Sequence, residues 1–124
     1  MIDVNKKGEV WIFAEQRAAE LEETPLELMS KARDLADTLK VKLAAVLLTS
    51  NTGKMPEKLI QYGADKVYTV SHPLLEHYQT NSYTRVISEL IHKHSPQIVL
   101  YGATPVGRDL APRVASDEIG RAHV

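Results

Sequence analysis

Short apolar segments alternate with amphipathic segments along the whole chain, and this alternation constrains the fold more than any other feature. The segments between the apolar runs carry apolar residues at steps of three and four, which is typical of helices. Short strand–helix–strand connections favour parallel strands with helices on both faces of the sheet. We therefore predict a three-layer, doubly wound α/β domain. Its predicted strands are Glu9–Ala14, Lys42–Leu48, Asp65–Val70 and Ile98–Tyr101.

Proline residues suggest where the first and last helices begin. Thr24 precedes Pro25, and Glu27 stands three residues after Thr24, so Thr24 is predicted to cap the first helix. Asp109 is predicted to cap the final helix. Pro112 would then lie in the first turn, where N–H groups have no intrahelical partner.

Composition indicates one globular core: the chain has 124 residues, 44% of them hydrophobic and 25% charged. The 15 basic and 16 acidic residues are interspersed, which gives no argument for a nucleic-acid or membrane partner. The absence of cysteine excludes disulfides, thiolate metal sites and cysteine nucleophiles. The apolar run Leu43–Leu48 is too short to span a bilayer, and Met1–Gly8 lacks a signal-peptide core. We expect a cytoplasmic protein without membrane insertion.

The loops best placed for function follow the first and fourth predicted strands. In a doubly wound sheet, ligands and partners meet the carboxyl ends of the strands where the strand order reverses. This rule selects Glu15–Arg17 and Gly102–Asp109 and predicts that they lie side by side. Glu15 and Arg17 could bind a ligand or hold a partner domain, although surface loops also carry such residues without a function.

The segment Gly102–Asp109 has the two-glycine spacing of a phosphate-binding loop but lacks its reactive residues. Such a loop needs a lysine and then a hydroxyl residue after the second glycine. Arg108 and Asp109 stand at those positions, and the Asp109 carboxylate would repel phosphate. A structural interpretation is a tight strand-to-helix turn in which the glycines give backbone freedom. That interpretation leaves unexplained Arg108 and Arg113, two arginines beside the predicted switch point.

Clusters suited to metal binding or acid–base catalysis are not evident in the sequence. His92 and His94 are two residues apart on a predicted helix, so they face different directions and cannot bind one ion together. The acidic residues are interpreted as solvated helix or loop charges. We therefore predict neither a catalytic nor a metal site.

Four segments, in the same order, resemble the amino-terminal domain of electron-transfer flavoprotein α subunits. They are VWIFAEQR at Val10–Arg17, PLELMSKARDLADTL at Pro25–Leu39, YGADKVY at Tyr62–Tyr68 and LYGATPVGRDLAPRVA at Leu100–Ala115. The last segment is the most specific. One departure is the stretch RAAEL at 17–21, where many relatives carry a glycine-bearing turn. The candidate signature and interface residues are Glu15, Arg17, Gly102, Thr104, Gly107, Arg108 and Asp109.

The resemblance implies an electron carrier subunit rather than an enzyme. Family members pair an α with a β subunit and pass electrons from flavin dehydrogenases, such as the acyl-CoA dehydrogenases of fatty acid β-oxidation, to a redox partner. They hold FAD mainly in the carboxyl-terminal domain of the α subunit. The first domain is a nucleotide-binding-like scaffold of the adenine nucleotide α-hydrolase type, and it packs against the β subunit. The resemblance therefore implies no bound cofactor for this domain alone.

The end of the chain leaves the family pattern after residue 117. The stretch EIGRAHV at Glu118–Val124 reads as the translation of a common sequencing-library adapter. We therefore interpret residues 1–117 as the amino-terminal domain of a truncated α subunit that lacks its FAD domain, and residues 118–124 as a non-native tail.

Two alternative functions remain open on the residues alone. A nucleotide-binding, universal-stress-type α/β module would share the fold and the two-glycine turn, but it would need a hydroxyl-bearing phosphate loop. A self-sufficient small enzyme would need a nucleophile, an acid–base pair or a metal cluster. The sequence lacks a convincing example of each.

Overall fold

The computed structural model describes residues 7–122, with side chains up to residue 120. In chain order the elements are β1 (Val10–Phe13), β2 (Gln16–Arg17), β3 (Glu20–Leu21), α1 (Glu23–Leu39), β4 (Leu43–Thr49), α2 (Met55–Gln61), β5 (Lys66–Ser71), a 3-10 helix (Pro73–Leu75), α3 (Thr80–His94), β6 (Ile98–Leu100) and α4 (Pro105–Ala122). Most of the predicted polar start, Met1–Gly8, and the last two residues of the predicted tail lie outside the described residues.

Four of the strands form a parallel sheet in the order β5-β4-β1-β6. From β1 the chain passes to β4 and β5 on one side, and it then returns to place β6 on the other side. Trp11 of β1 consequently lies between Ala44 of β4 and Val99 of β6. The strand order reverses at β1, so the carboxyl ends of β1 and β6 form the switch point.

Strands β1 and β4 are buried along their whole length because helices cover both faces of the sheet. On one face, Ile12 and Leu47 pack in a core with α1 and α2. On the other face, Trp11 and Val46 pack in a core with α3 and α4. Burial on both faces explains the continuous apolar runs of the sequence, and it confirms the predicted three-layer fold. Within the described part of the chain, none of the helices has the length and apolar character to span a membrane.

The predicted cap of α1 is wrong. Helix α1 begins at Glu23, so Thr24 lies inside the first turn, and Glu22 holds the cap position without a side-chain hydrogen bond. The Thr24 methyl group instead packs against the loop after β6: a Cβ added to Gly102 would lie 3.1 Å from Thr24 Cγ2. Thr24 is therefore a packing residue that sets the distance between α1 and this loop.

The predicted start of α4 is also wrong. The helix begins at Pro105, which needs no N–H partner in the first turn, and Thr104 Oγ1 accepts a hydrogen bond from the Gly107 N–H at 3.0 Å. Asp109 consequently lies in the second turn. Pro112 lies inside the helix, where it cannot donate a hydrogen bond to the carbonyl four residues earlier. The signal for the true start was the threonine–proline pair at 104–105.

An antiparallel hairpin of β2 and β3, which the sequence did not predict, follows β1. Arg17 pairs with Glu20, and Ala18 and Ala19 form a two-residue turn. Both alanines have positive φ angles, 54° and 61°, in a region that favours glycine. The departure from the family pattern at residues 17–21 therefore falls on a strained turn.

Candidate functional site

The two loops that the sequence selected lie side by side, as predicted. Thr104 Oγ1 donates a hydrogen bond to Glu15 Oε1 at 2.6 Å, which joins the loop after β6 to the loop after β1. Together with the segment between β5 and α3, these loops surround an open crevice of about 400 Å³. The crevice is lined by Glu15, Gln16, Arg17, Glu22, Glu76, His77, Tyr78, Thr104, Pro105 and Val106.

Gly102 and Gly107 are required by close packing rather than by backbone freedom. Neither of them has a positive φ. A Cβ on Gly107 would overlap the carbonyl oxygen of Gly102, and one on Gly102 would press on the Thr24 methyl group. The predicted reason for the two glycines is therefore wrong, because α4 packs its first turn directly onto the loop that precedes it.

The first turn of α4 has few hydrogen-bond donors left for an anion. Pro105 has no N–H, and the Gly107 N–H donates to Thr104 Oγ1. The Arg108 N–H donates to the Thr104 carbonyl at 2.9 Å. The Thr104 hydroxyl is itself bonded to the Glu15 carboxylate, which would repel a phosphate. This geometry disfavours a phosphate cradle, in agreement with the departures from the phosphate-loop sequence.

The crevice carries more acidic than basic groups. Glu15, Glu22 and Glu76 line it together with Arg17 and His77. His77 Nε2 lies 3.6 Å from the Glu76 carboxylate, and both side chains are exposed, so this pair contributes only about 0–1 kcal/mol. Arg17 is exposed, and its guanidinium bonds to none of the residues that the structure describes. These charges are available for contact with a partner.

The Asp109 side chain points into the wall of the crevice and not into the crevice itself. Its Oδ2 accepts hydrogen bonds from Thr80 Oγ1 at 2.5 Å and from the Tyr78 hydroxyl at 2.6 Å. These two bonds lower the pKa of Asp109 below its ordinary value. Burial, helped by the bond to Asp109, raises the pKa of Tyr78 to about 12. At neutral pH a carboxylate and a protonated phenol therefore connect α4 to the wall.

The two arginines singled out from the sequence are separated by the structure. Arg108 is exposed near the start of α4 but does not line the crevice. Arg113 lines a different groove, between α3 and α4. Five residues along a helix correspond to a rise of roughly 7.5 Å, which carries Arg113 away from the strand ends.

The sequence did not identify the third wall of the crevice, which is the segment between β5 and α3. Gln16 Nε2 donates to the carbonyls of Leu48 and Glu76, each at 3.3 Å. The buried Tyr83 hydroxyl donates to the Leu75 carbonyl at 2.6 Å. These bonds end on main-chain carbonyls, which leave no residue pattern in a sequence.

Metal-ligating side chains do not converge within residues 7–120: no group of three or more could hold an ion. His94 packs against Tyr68, with 4.5 Å between the ring centroids. His72 Nδ1 accepts a hydrogen bond from the Leu74 N–H. Both histidines therefore have structural contacts.

Comparison with known proteins places most of the chain in one family. The family described as "Electron transfer flavoprotein domain" matches residues 10–117. An electron transfer flavoprotein subunit alpha from Thermoanaerobacterium thermosaccharolyticum is 47% identical over 113 residues, which cover 91% of this chain and 34% of the relative. An electron transfer flavoprotein subunit alpha from Clostridium acetobutylicum is 48% identical over 107 residues, covering 86% and 32%. An acryloyl-CoA reductase electron transfer subunit beta from Anaerotignum propionicum is 40% identical over 114 residues, covering 92% and 31%.

The matched region contains every strand of the parallel sheet and all three walls of the crevice. The chain spans about a third of the length of these relatives. The resemblance inferred from the sequence is confirmed, and the chain belongs to the electron transfer flavoprotein domain family.

Proposed function

We propose that this chain is the amino-terminal scaffold domain of an α subunit in a cytoplasmic, heterodimeric electron transfer flavoprotein. The whole protein would carry electrons from flavin dehydrogenases of the acyl-CoA dehydrogenase type to a redox partner. FAD would be held mainly by a second domain of the α subunit. The family match supports this role, as do the names of the three relatives, each of which describes electron transfer.

Within that protein, we propose that the crevice docks the β subunit. The observation that carries this proposal is the first turn of α4, where Thr104, Gly107 and Glu15 bond to one another. The crevice lies at the switch point, where doubly wound folds commonly bind nucleotides. The Gly107 and Arg108 N–H groups of the first turn of α4, however, already donate hydrogen bonds within the protein. An open, charged surface that cannot cradle phosphate favours contact with another protein.

The nucleotide-binding alternative predicts a different result from the same surface. Calorimetry of the chain with AMP, ATP and FAD separates the two functions. The scaffold role predicts no tight binding of any of them. Tight binding of ATP would support the universal-stress-type alternative.

The docking role is tested in a chimera. Residues 10–117 replace the matched segment of the T. thermosaccharolyticum α subunit, which is co-expressed with the β subunit of that organism. We expect a heterodimer that retains FAD. We expect the interface to extend from the crevice onto the exposed start of α4, so Arg108→Ala should weaken the association about tenfold by removing charge-assisted hydrogen bonds.

A matched control is Lys93→Ala, which removes an exposed cation from the end of α3, at the opposite end of the sheet. This variant should associate like the unsubstituted chimera. Equal subunit affinity and equal FAD retention in the Arg108→Ala and Lys93→Ala variants would contradict the role of Arg108.

We further propose that residues 118–124 do not belong to the domain. Ile119 is 47% exposed, and Gly120 has no neighbour within 4 Å of an added Cβ. The family match ends at residue 117. Reading the coding DNA tests this proposal: the adapter bases GAG ATC GGA AGA GCA CAC GTC are expected, and different codons would contradict it.

A further inference from the structure

The first turn of α3 has little local stabilisation beyond a long hydrogen bond, 3.4 Å, from Ser82 Oγ to the Gln79 carbonyl. Gln79 holds the cap position without a side-chain hydrogen bond, and the turn contains no acidic residue. A helix amino terminus carries partial positive charge and is stabilised by a nearby carboxylate. Asp109, 29 positions away on α4, supplies that carboxylate through its bond to the Thr80 hydroxyl. The start of α3 therefore depends on a residue of another helix.

The same carboxylate oxygen holds Tyr78, which lines the crevice. The Tyr78 ring also packs edge-on against the buried ring of Tyr83, with 5.0 Å between centroids. The segment between β5 and α3 is thus attached at three points, one of which is the bond from Gln16 to the Glu76 carbonyl. Tyr83 fixes it to the core through the Leu75 carbonyl, and Asp109 fixes it to α4.

Adjacent residues of α4 consequently face different surroundings. Arg108 is exposed, whereas Asp109 is partly buried and bonded to two side chains from outside its helix. A partner that contacts the crevice would meet Tyr78 and its neighbours, not the Asp109 carboxylate.

We infer that Asp109 is a positioning residue, which sets the crevice wall at residues 76–78 by holding Tyr78 and the start of α3. Asp109 would affect binding of a partner by fixing the position of the wall, without contacting the partner itself. This inference rests on the proposed docking of the β subunit at the crevice.

Hydrogen exchange of the full 124-residue chain tests the positioning step without a partner. In Asp109→Asn, the amides of residues 83–86, which bond back to the carbonyls at the start of α3, should exchange roughly tenfold faster, since a neutral amide accepts the bonds from Thr80 and Tyr78 more weakly than a carboxylate does. Tyr78→Phe removes one of the two donors and should give a smaller increase. Asp34→Asn, on the exposed face of α1, is the matched control and should exchange like the unsubstituted chain.

Titration of the tyrosinate absorbance gives a second readout, and subtracting the same titration of a matched Tyr78→Phe protein isolates Tyr78 from the other four tyrosines. In Asp109→Asn the pKa of Tyr78 should fall from about 12, because the neighbouring negative charge is gone. The Asp34→Asn control should leave it unchanged. Unchanged exchange at residues 83–86 in Asp109→Asn, or an unchanged Tyr78 titration, would overturn the inference.

The α–β chimera then tests the step from the wall to the partner. Asp109→Asn should weaken association with the β subunit by several-fold, about as much as Tyr78→Phe or more. Faster exchange with unchanged association would overturn the link between the wall and docking. Failure of the unsubstituted chimera to associate would contradict the proposed function instead, and the exchange data would still decide the positioning role.

Discussion

At the amino end of the sheet, Glu9 is surrounded by donors: Trp11 Nε1 at 3.0 Å, the Tyr68 hydroxyl at 2.6 Å and Lys66 Nζ at 2.5 Å. At the carboxyl end, Glu15 bonds to Thr104 and otherwise borders an open crevice. Both ends combine carboxylates, phenols and cations. At the carboxyl end, charged groups are open to solvent around a concave surface, which makes this end suited to recognition.

The amino end is a polar cluster centred on the Glu9 carboxylate, with the Lys66 side chain 40% exposed at its edge. Burial acts to raise the pKa of Glu9, but hydrogen bonds from Lys66, Tyr68 and Trp11 outweigh it and lower that pKa. Burial and the bond to Glu9 raise the pKa of Tyr68. The Trp11 and Tyr68 rings also pack together, with centroids 5.0 Å apart. Fully bonded polar groups of this kind stabilise one packing arrangement.

Left-handed residues occur at both ends of the sheet: at the amino end, Lys40 and Ser95 cap the ends of α1 and α3. The hairpin beside the crevice turns through Ala18 and Ala19, each in the left-handed region. Such a conformation costs about 1–2 kcal/mol per residue.

The largest loss of stability is expected from Gly107→Ala, which disrupts packing at the carboxyl end of the sheet. The added methyl group would overlap the Gly102 carbonyl, so the free energy of unfolding should fall by about 3 kcal/mol. Chemical denaturation measures this loss. Ser116→Ala, at an exposed position of the same helix, is the control and should change stability by less than about 0.5 kcal/mol. If Gly107→Ala loses less stability than an ordinary surface substitution does, the close packing at Gly107 is not required.

Glu9→Gln should lower the free energy of unfolding by a smaller amount, about 2 kcal/mol. The substitution weakens all three bonds of the polar cluster at the amino end. Denaturation at neutral pH measures it, with the exposed Glu57→Gln on α2 as the control. Association of the chimera with the β subunit should be unaffected. Weakened association in Glu9→Gln would remove the proposed distinction between the two ends.

The contribution of Glu9 to stability should depend on pH, which gives a second test of the polar cluster at the amino end. Because its folded-state pKa lies below the ordinary value of 4.5, its contribution to stability is present above pH 4.5 and is lost as the pH falls through the folded-state value. The unsubstituted chain should therefore lose more stability on acidification than Glu9→Gln. Equal losses in both proteins would argue against the lowered pKa.

The smallest effect is expected from Ala18→Gly and Ala19→Gly. Each should raise stability by about 0.5–1 kcal/mol, because glycine relieves the left-handed conformation but makes the unfolded chain more flexible. Thermal denaturation measures the gain. Ala115→Gly, in the interior of α4, should lose about as much. Destabilisation by both hairpin variants would contradict a strained turn.

The sequence predicted the fold and the proximity of the two loops that border the candidate site, because both follow from the periodic pattern of apolar residues. Continuous apolar runs indicated strands buried on both faces, and the switch-point rule correctly brought Glu15 close to Thr104. The family resemblance rested on the segment Leu100–Ala115, and the match to residues 10–117 confirms it.

The sequence was insufficient where tertiary contacts override local patterns. Thr24 and Asp109 both matched capping patterns, but each bonds or packs across to another element. The hairpin escaped prediction because its turn residues, Ala18 and Ala19, are not those that favour a two-residue turn. The roles of Arg17 and Arg108 in docking remain predictions.

Hydrogen exchange of the chimeric α subunit, with and without the β subunit, tests docking at the crevice most directly. Docking there should slow exchange on heterodimer formation at the carboxyl end, in residues 15–22, 76–78 and 106–109. Exchange at the amino end, in residues 8–10 and 66–68, should be the same in both states. Protection of the amino end, or unchanged exchange around the crevice, would show that the β subunit does not dock at the crevice.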